Sequence, residues 1–300
     1  MSNNFLAKLH SGIILLSDGA MGTELQKRGM KTGVCPEELN FVSPEVIQAI
    51  HRDYYEAGSD IVETNSFGSN RIRLSLHQME DRAYDFAKKA AELARQVCPA
   101  GKFVAGSIGP TGEILEPLGP LNLQDAYDAF AEEAEALAEG GVDVIFVETM
   151  MSIEEAETAV KAAKEKTGLP VSASMTFEIG PSGPKTMWGV DIQTSIERLT
   201  AAGADVLGSN CGRGFDEMIQ VIKQMRPLTQ KPILAQANAG IPEWVDGVSI
   251  YRETPEIISP KALELLEMGI NIIGGCCGTG PQHIKEIRKL ADKFNAIRKK

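Results

Sequence analysis

The sequence lacks the features that mark membrane proteins, secreted proteins and nucleic-acid-binding proteins. No apolar run approaches the ~18 residues of a membrane-spanning helix, because runs such as Ile13–Leu16 and Val144–Val147 are only as long as strands. The first residues do not show the basic-then-apolar order of a signal peptide. Lys and Arg number 30 against 41 Asp and Glu, and the net charge of −11 opposes contact with nucleic acid or anionic lipid. We therefore expect a cytoplasmic protein that binds neither nucleic acid nor membrane.

Cysteine is scarce and unevenly distributed. Five cysteines in 300 residues are too few, and odd in number, for a disulfide-stapled scaffold. Cys35 and Cys98 stand alone, and we interpret them as ordinary free thiols. Cys211, Cys276 and Cys277 lie in glycine-rich segments, and clustered cysteines in a reducing compartment more often bind metal or act in catalysis than form disulfides.

The sequence does contain a regular alternation of apolar and amphipathic segments. Hydrophobic residues make up 43% of the chain, which suffices for a large core. Short, almost continuously apolar runs are typical of strands that are buried on both faces. The predicted strands are Ile13–Ser17, Ile61–Thr64, Phe103–Ser107, Val144–Glu148, Val171–Met175, Val206–Ser209, Ile233–Gln236 and Ile270–Ile273. The predicted helices are Pro44–Ala57, Asp81–Gln96, Leu123–Glu139, Ile153–Lys166, Asp191–Ala202, Phe215–Arg226, Pro260–Met268 and Pro281–Asn295.

This alternation predicts an α/β fold, a single (β/α)8 TIM barrel that spans residues 1–300 as one domain. Several predicted helices end in glycine just before a strand, as in "EAGSDIVET" and "AAGADVLGSN". The main alternative is a doubly wound sheet. Its dinucleotide-binding form requires G-x-G-x-x-G after the first strand, but the chain reads "DGAMG" over Asp18–Gly22.

The three clustered cysteines fall at the ends of predicted strands, where a barrel carries its active site. Cys211 ends the sixth strand, and Cys276 and Cys277 end the eighth. Two strand spacings are roughly 10 Å, so thiolates from both sides could reach one metal ion. Three thiolates would leave one position of a tetrahedral zinc ion open, as in catalytic sites. The alternative is that these cysteines are inert small residues at tight turns.

Carboxylates also gather at the strand ends. Asp18 and Glu148 end the first and fourth strands, and Glu63 stands just before the end of the second. Such side chains could bind a substrate ammonium or transfer protons, although helix caps and structural ion pairs are the alternative. Glycines such as Gly19 and Gly22 could present backbone N–H groups to a carboxylate, or could simply serve turns.

Eight strand-end segments together resemble one enzyme family. They read "DGAMGTEL", "TNSFGSNRIRL", "GSIGPTGE", "VETM", "MTF", "SNCG", "ANAG" and "GGCCGTGPQHI", in that order, from about Ile13 to Ile287. The set resembles the zinc-dependent homocysteine S-methyltransferases, and most of all the homocysteine-binding module of cobalamin-dependent methionine synthase. The paired cysteines after two glycines, with a third in Asn-Cys-Gly, are the most specific part.

The resemblance implies a barrel that transfers a methyl group to the thiolate of homocysteine, giving methionine. It implies that zinc is held by Cys211, Cys276 and Cys277. The substrate-binding residues implied by the family are Asp18 and Glu148 for the ammonium, the backbone amides of Gly19, Ala20, Met21 and Gly22 for the carboxylate, and Asn238, which can offer oxygen to zinc when substrate is absent. No further catalytic residue is implied beyond zinc activation of the substrate thiol. Another small thiol remains possible as substrate.

The sequence says less about the methyl donor than about the thiol substrate. Betaine-using relatives carry Tyr directly after the strand-four glutamate, whereas this chain has Thr149, which disfavours betaine. Methionine synthase relatives carry corrinoid and folate modules, and this chain stops at Lys300, so we expect methylcobalamin on a separate corrinoid protein. The alternative methyl donor is a small molecule, S-methylmethionine or S-adenosylmethionine. The alternative function is that of a non-catalytic subunit that binds zinc and a thiol.

Two long loops are expected to meet the corrinoid protein or to cover the barrel's own mouth. They span Thr176–Val190 and Ala239–Pro260. Apolar and aromatic side chains suit a protein contact of this kind. The loops contain Met187, Trp188, Ile241, Trp244, Val248 and Tyr251.

Overall fold

Eight parallel strands form a barrel in the computed structural model, which describes residues 4–245 and 248–298. The strands are β1 Leu15–Leu16, β2 Ile61–Glu63, β3 Phe103–Ile108, β4 Val144–Met150, β5 Val171–Met175, β6 Val206–Cys211, β7 Ile233–Ala237 and β8 Ile272–Gly275. Their order in the sheet is β1-β8-β7-β6-β5-β4-β3-β2. Each strand pairs in parallel with the next along this order, as the apolar runs predict. The predicted single (β/α)8 barrel is confirmed.

The barrel closes between β1 and β2 partly through side chains. The amide of Asp60 donates to the carbonyl of Leu16 over 2.6 Å, and the amide of Leu16 donates to Oδ2 of Asp60 over 3.0 Å. Further along the seam, the amide of Glu63 donates to Oδ2 of Asp18 over 2.9 Å. Two aspartates therefore supply hydrogen bonds that a backbone ladder supplies elsewhere in the sheet.

Eight outer helices surround the strands. They are α1 Pro44–Ala57, α2 Ala83–Val97, α3 Leu123–Glu139, α4 Ile153–Thr167, α5 Ile192–Ala202, α6 Phe215–Met225, α7 Pro255–Glu267 and α8 Pro281–Arg298. Shorter helical segments are Asn4–His10, Met21–Lys27, Pro36–Glu38, Leu39–Val42, Arg71–Ser75, Glu80–Arg82 and Arg226–Leu228. Two hairpins extend the loops, with strands Glu178–Gly180 and Gly183–Lys185 in the first and Glu243–Val245 and Val248–Ile250 in the second. Within the described ranges, no helix has both the length and the apolar character that crossing a bilayer requires.

Most predicted elements match the structure to within three residues, and the short β1 and the early start of α7 have identifiable reasons. β1 is reduced to Leu15–Leu16, because the seam with β2 uses aspartate side chains in place of a continued ladder. α7 begins at Pro255, five residues before the predicted start at Pro260, which lies inside the helix. Proline is favoured at the first helical position because it lacks an N–H group, and the sequence offers two such prolines.

The barrel is filled at the amino ends of its strands, called the lower end here, and open at their carboxyl ends, the upper end. The N-terminal helix Asn4–His10 inserts Phe5 under the barrel, where its ring meets Phe103 edge-on at 5.4 Å. At the upper end, helices start on polar caps, and Ser152 and Asp191 each accept a hydrogen bond from the amide three residues onward. The carboxyl ends of the strands are thus the end at which side chains can meet a ligand.

Glu133 is a buried acid in the outer layer of the fold. It lies on α3 with no exposed surface, and neither of its carboxylate oxygens has a hydrogen-bond partner within the described residues. Burial raises its pKa well above the ordinary value, and the nearby Glu37 and Glu132 add to this. The folded protein therefore holds a proton that the unfolded chain releases as the pH rises.

Replacing Glu133 with glutamine should change the pH dependence of stability. Above the ordinary pKa of glutamate, the parent loses up to about 1.4 kcal/mol of unfolding free energy per pH unit through this proton. Glu133→Gln cannot ionise, so its stability relative to the parent should rise between pH 5 and pH 8. Urea unfolding at both pH values measures this. Glu135→Gln, an exposed change on the same helix, is the control, and an equal difference at both pH values for Glu133→Gln would contradict the prediction.

Candidate functional site

A cavity of about 270 Å³ opens at the carboxyl ends of the strands. Its walls combine three thiols with four carboxylates, namely Cys211, Cys276, Cys277, Asp18, Glu37, Glu63 and Glu148. None of the described residues that line the cavity is basic. The chain therefore provides no cation of its own to balance these groups, and the cavity suits a ligand with positive charge.

The three clustered cysteines come together at one side of this cavity. Cys211 is the last residue of β6, and Cys276 and Cys277 directly follow β8. Their three sulfur atoms all lie within 4.8 Å of one another. The amide of Cys276 still donates to the carbonyl of Ala237, and the chain then turns so that the amide of Thr279 donates to the carbonyl of Cys276 over 3.0 Å. This turn lets adjacent cysteines face the same point, which a regular strand would prevent.

Cys211 and Thr149 adopt a backbone conformation that residues other than glycine rarely take. The φ angle is +64° at Cys211 and +60° at Thr149. Such strain costs about 1–3 kcal/mol per residue and collects at functional sites. Here both strained residues stand at strand ends that face the cavity.

Asn238 lies beside the thiol cluster. Its side-chain amide donates to the carbonyl of Gly212 over 2.6 Å and approaches the Cys211 sulfur at 3.6 Å. The other end of that side chain, Oδ1, is buried and has no hydrogen-bond partner within the described residues. Three cysteine thiolates are a donor set typical of zinc, so the residues present fit that ion.

The three clustered thiols differ in pKa. Hydrogen bonds from Cys276 and Cys277 lower the pKa of Cys211 to about 3. The bond to Cys211 raises the pKa of Cys276 well above the usual range, and also raises that of Cys277, to about 11. Without a metal ion the cluster therefore favours the thiolate form at Cys211, which the two neighbouring thiols stabilise. A divalent cation would displace the remaining protons.

The carboxylates occupy the wall near β1, β2 and β4. Asp18 is 2% exposed and Glu148 is 9% exposed. Ser107 Oγ donates to Oε1 of Glu148 over 2.6 Å. Oε1 of Glu63 accepts from Ser17 Oγ at 3.3 Å and from the side-chain amide of Gln236. Hydroxyl and amide donors thus fix the carboxylates without neutralising their charge.

Burial makes all three of these carboxyl groups hard to ionise. It raises the pKa of Asp18 to about 8, although hydrogen bonds from the amide of Glu63 and from Ser17 oppose the shift. Burial raises the pKa of Glu63 well above the usual range, and the charges of Glu148 and Asp18 raise it further. Burial also raises the pKa of Glu148, but this group accepts a hydrogen bond from Glu63, which favours the shared proton on Glu63. A bound ammonium group would take over the role of these protons.

Asn210 connects the thiol side of the cavity with the carboxylate side. It directly precedes Cys211, and its side-chain amide donates to Oε2 of Glu148 over 3.1 Å and to Oγ1 of Thr149 over 2.7 Å. Its Oδ1 accepts from the amide of Thr149 and from the hydroxyl of Ser174, each over 2.8 Å. One side chain therefore stabilises the strained Thr149 and orients Glu148.

The segment Gly19–Gly22 lines the cavity as predicted, but its amides are not equivalent. The amide of Ala20 donates to the carbonyl of Thr279 over 2.9 Å, so it is already satisfied. Met21 and Gly22 open the helix Met21–Lys27, whose first amides have no acceptor within the helix. Of the four predicted amides, these two are the better placed for a carboxylate. Only glycine fits at position 19, because the backbone there passes close to Thr279. A Cβ at this position would lie 2.1 Å from the carbonyl oxygen of Thr279.

The two long loops form hairpins at the end of the barrel where the cavity opens. Most of the named apolar and aromatic side chains on these loops are exposed to solvent, but one turns inward. Trp244 and Met187 are each 72% exposed, and Trp188 and Ile241 are also exposed. Tyr251, predicted to lie with them, instead turns towards Cys277. The side chain of Val248 lies outside the part of the chain that the structure describes.

Sequence reasoning missed several contributors to the site. Ser107, Asn210 and Gln236 received no role, and Glu63 was noted without being placed beside the predicted ammonium ligands. Each stands at or near the carboxyl end of a strand. Each also forms a hydrogen bond with one of the carboxylates Asp18, Glu63 and Glu148. Their common signal is a polar side chain in an otherwise apolar strand.

Comparisons with known proteins agree with this geometry. The family model described as homocysteine S-methyltransferase matches residues 15–291. The methionine synthases of Mycobacterium tuberculosis and Mycobacterium leprae are 34% and 32% identical over 91% and 94% of this chain. The matched region covers 24% of each, so this chain spans about a quarter of the length of these relatives. The metallated homocysteine methyltransferase MmuM from Escherichia coli has the same fold, with 23% identity, a TM-score of 0.79 and coverage of 94% of this chain and 98% of that one.

The thiol cluster should bind one thiophilic divalent ion. Titration with Cd²⁺ under reducing conditions should produce a thiolate-to-metal absorption band that saturates at one equivalent. Cys211→Ser replaces a soft ligand with a hard, weak one and should lower the affinity about 100-fold or more. Cys98→Ser removes a half-buried cysteine outside the cluster and should bind like the parent. Equal affinities for both variants would contradict the assignment.

Proposed function

The chain belongs to the homocysteine S-methyltransferase family, and on this premise we propose that it methylates the thiolate of homocysteine, giving methionine, with zinc held by Cys211, Cys276 and Cys277. The observation that carries the proposal is one cavity that holds a three-thiol cluster together with buried carboxylates and no basic lining residue. Homocysteine has a thiol and an ammonium group at its two ends. The two sides of the cavity match these two groups.

The chemistry begins with the substrate thiol. A free thiol has a pKa of about 8.5 and is mostly protonated at neutral pH, hence a poor nucleophile. Bound zinc supplies Lewis acidity that makes a coordinated thiol ionise. Three cysteine thiolates carry more negative charge than a divalent ion neutralises, so this ligand set favours an electron-rich substrate sulfur over a strongly electrophilic centre.

The remaining residues position the amino acid and do not exchange protons with the reacting sulfur. Asp18 and Glu148 bind the ammonium, and Glu63, with its raised pKa, donates a hydrogen bond to Glu148. The amides of Met21 and Gly22 receive the carboxylate at the start of their helix. Asn238, whose amide lies beside Cys211, would leave the fourth position of a bound zinc ion to the substrate sulfur, because a carboxamide oxygen is a weaker zinc ligand than a thiolate.

We propose that the methyl donor is methylcobalamin on a corrinoid protein. A cavity of about 270 Å³ has room for an amino acid but not for a corrinoid, so this donor must approach from outside the mouth. Exposed apolar side chains border that mouth on both hairpin loops, with Met187, Trp188 and Trp244 the largest. Aromatic residues and methionine are enriched where proteins contact one another.

Loss of the ammonium partner should weaken homocysteine binding selectively. Glu148→Gln keeps the shape of the side chain but removes its charge, and a charged hydrogen bond contributes about 1.5–3 kcal/mol, so homocysteine affinity should fall roughly 10- to 150-fold. Calorimetry on the zinc-loaded protein should show little change for a simple alkyl thiol, which has no ammonium. Glu154→Gln, an exposed glutamate at the start of α4, should leave both affinities unchanged. Equal losses for the two thiols would show that Glu148 does not bind the ammonium.

The donor can be identified by comparing rates with homocysteine as acceptor. A methylated corrinoid protein should give much faster turnover than free methylcobalamin, S-methylmethionine or S-adenosylmethionine. Trp244→Ala should lower kcat/KM for the corrinoid protein about tenfold, the equivalent of ~1.4 kcal/mol, while zinc content and homocysteine affinity stay normal.

Leu228→Ala is the matched control, because Leu228 is an exposed apolar residue in the segment that leads from α6 into the lower end of β7. Small donors that sustain rates no corrinoid protein improves would overturn the donor assignment. A protein that binds zinc and homocysteine yet demethylates none of the four donors would instead be a non-catalytic thiol-binding subunit.

A further inference from the structure

Gln236 is a buried polar residue on a strand that is otherwise apolar. It is the fourth residue of β7, Ile233–Ala237, it is 3% exposed, and it lines the cavity. Burying a polar side chain costs free energy unless its atoms are hydrogen-bonded. Oε1 of Gln236 has no hydrogen-bond partner within the described residues. Core packing therefore does not explain a glutamine at this position.

The side chain of Gln236 crosses β8 and reaches the strands on its far side. Gly274 lies opposite Gln236 on β8, and a Cβ on this glycine would lie 3.3 Å from Cγ of Gln236 and 2.8 Å from Cβ of Ser17. A larger residue would have to displace these side chains. Nε2 of Gln236 donates to Oγ of Ser17 over 3.2 Å and to Oε1 of Glu63. One carboxamide thus connects β7 with the carboxyl ends of β1 and β2.

Both N–H groups of this carboxamide are used, and they set the direction of the neighbouring hydrogen bonds. Oγ of Ser17 accepts one of them, so its own O–H donates to a carboxyl oxygen, either Oε1 of Glu63 or Oδ1 of Asp18, each at 3.3 Å. The backbone amide of Glu63 donates to the other oxygen of Asp18, Oδ2, over 2.9 Å. Gln236 therefore holds Glu63 within the network that also holds Asp18.

A carboxamide holds Glu63 without supplying charge. A lysine or arginine could donate the same hydrogen bond, but its charge would balance the carboxylates and weaken their attraction for a cationic ligand. Glu63 ends β2, between Asp18, which follows β1, and Glu148 on β4. The field in this part of the cavity therefore depends on where the Glu63 carboxyl group stands.

We propose that Gln236 is a positioning residue of the ammonium site, which acts by holding the carboxyl group of Glu63 beside Asp18. This role rests on the proposed binding of homocysteine through its ammonium group. Without the carboxamide, Oε1 of Glu63 keeps only the hydrogen bond from Ser17 at 3.3 Å. The carboxyl group is then less well ordered, so an ammonium group meets a less preorganised site and binds more weakly.

A double-mutant cycle on the zinc-loaded full chain tests this role. Gln236→Met keeps the length of the side chain and removes its donor. We expect calorimetry to show that its homocysteine affinity falls about 10-fold, with little change for a simple alkyl thiol. Glu63→Ala should also weaken homocysteine binding. The double variant should bind homocysteine no more weakly than Glu63→Ala, because Gln236 acts through the carboxyl group of Glu63. A packing role of Gln236 would instead give losses that add.

Two further variants complete the experiment. Gln220→Met replaces an exposed glutamine on α6 and should match the parent for both ligands. Gln236→Leu also lacks the donor but packs differently, and it should show the same selective loss as Gln236→Met. Losses that are absent, equal for the two ligands or additive with Glu63→Ala would overturn the role of Gln236 while the proposed function stands. A parent protein that binds homocysteine no better than the alkyl thiol would overturn the ammonium site and the role of Gln236 together.

Discussion

The structure depends on a concentration of buried negative charge at the open end of the barrel that the chain does not neutralise. Asp18, Glu63 and Glu148 share one cavity with three thiols, and no described lining residue is basic. Isolated buried charges are costly, so such groups stay protonated or acquire a cationic partner. Protons fill that role in the ligand-free protein, as the raised pKa of Asp18, about 8, indicates. A divalent ion and an ammonium group can replace them, which makes ligand binding an exchange of protons for cations.

The distance between the thiol cluster and the carboxylates, the two proposed cation sites, is set by the sheet and is therefore rigid. Cys211 and Asn210 are neighbours on β6, and Asn210 reaches across to Glu148 on β4. Backbone strain at Thr149 and Cys211 aims these strand ends inward, and the hydrogen bonds of Asn210 hold Thr149 in place. A ligand that carries a thiol and an ammonium group would meet preorganised partners, so little binding energy would be spent on ordering the site.

The sequence predicted the parts of this arrangement that follow from chain periodicity. α1, α3 and β5 begin and end at their predicted residues, because apolar period and caps define them locally. The roles of Asn210 and Gln236 could not be predicted, since each depends on a contact between segments far apart in the chain. Asn210 follows the strand-four glutamate by 62 residues, and no local pattern reports that they meet. Strand ends could be recognised from sequence, but the direction of each side chain could not.

The seam between β1 and β2 explains why the carboxylates collect where they do. β1 is only two residues long, and the hydrogen bonds that close the barrel beside it come from Asp60 at the lower end and Asp18 at the upper end. Asp60 is compensated by ion pairs with Lys102 and Arg288, at 2.7 and 2.9 Å. Among the described residues, Asp18 has no such partner, although it makes the same kind of bond to the backbone. Closure of the barrel thus needs an acceptor at both ends, and only at the open end is its charge left for a ligand to balance. The residue that completes the fold is therefore also one of those that we propose to bind the substrate ammonium.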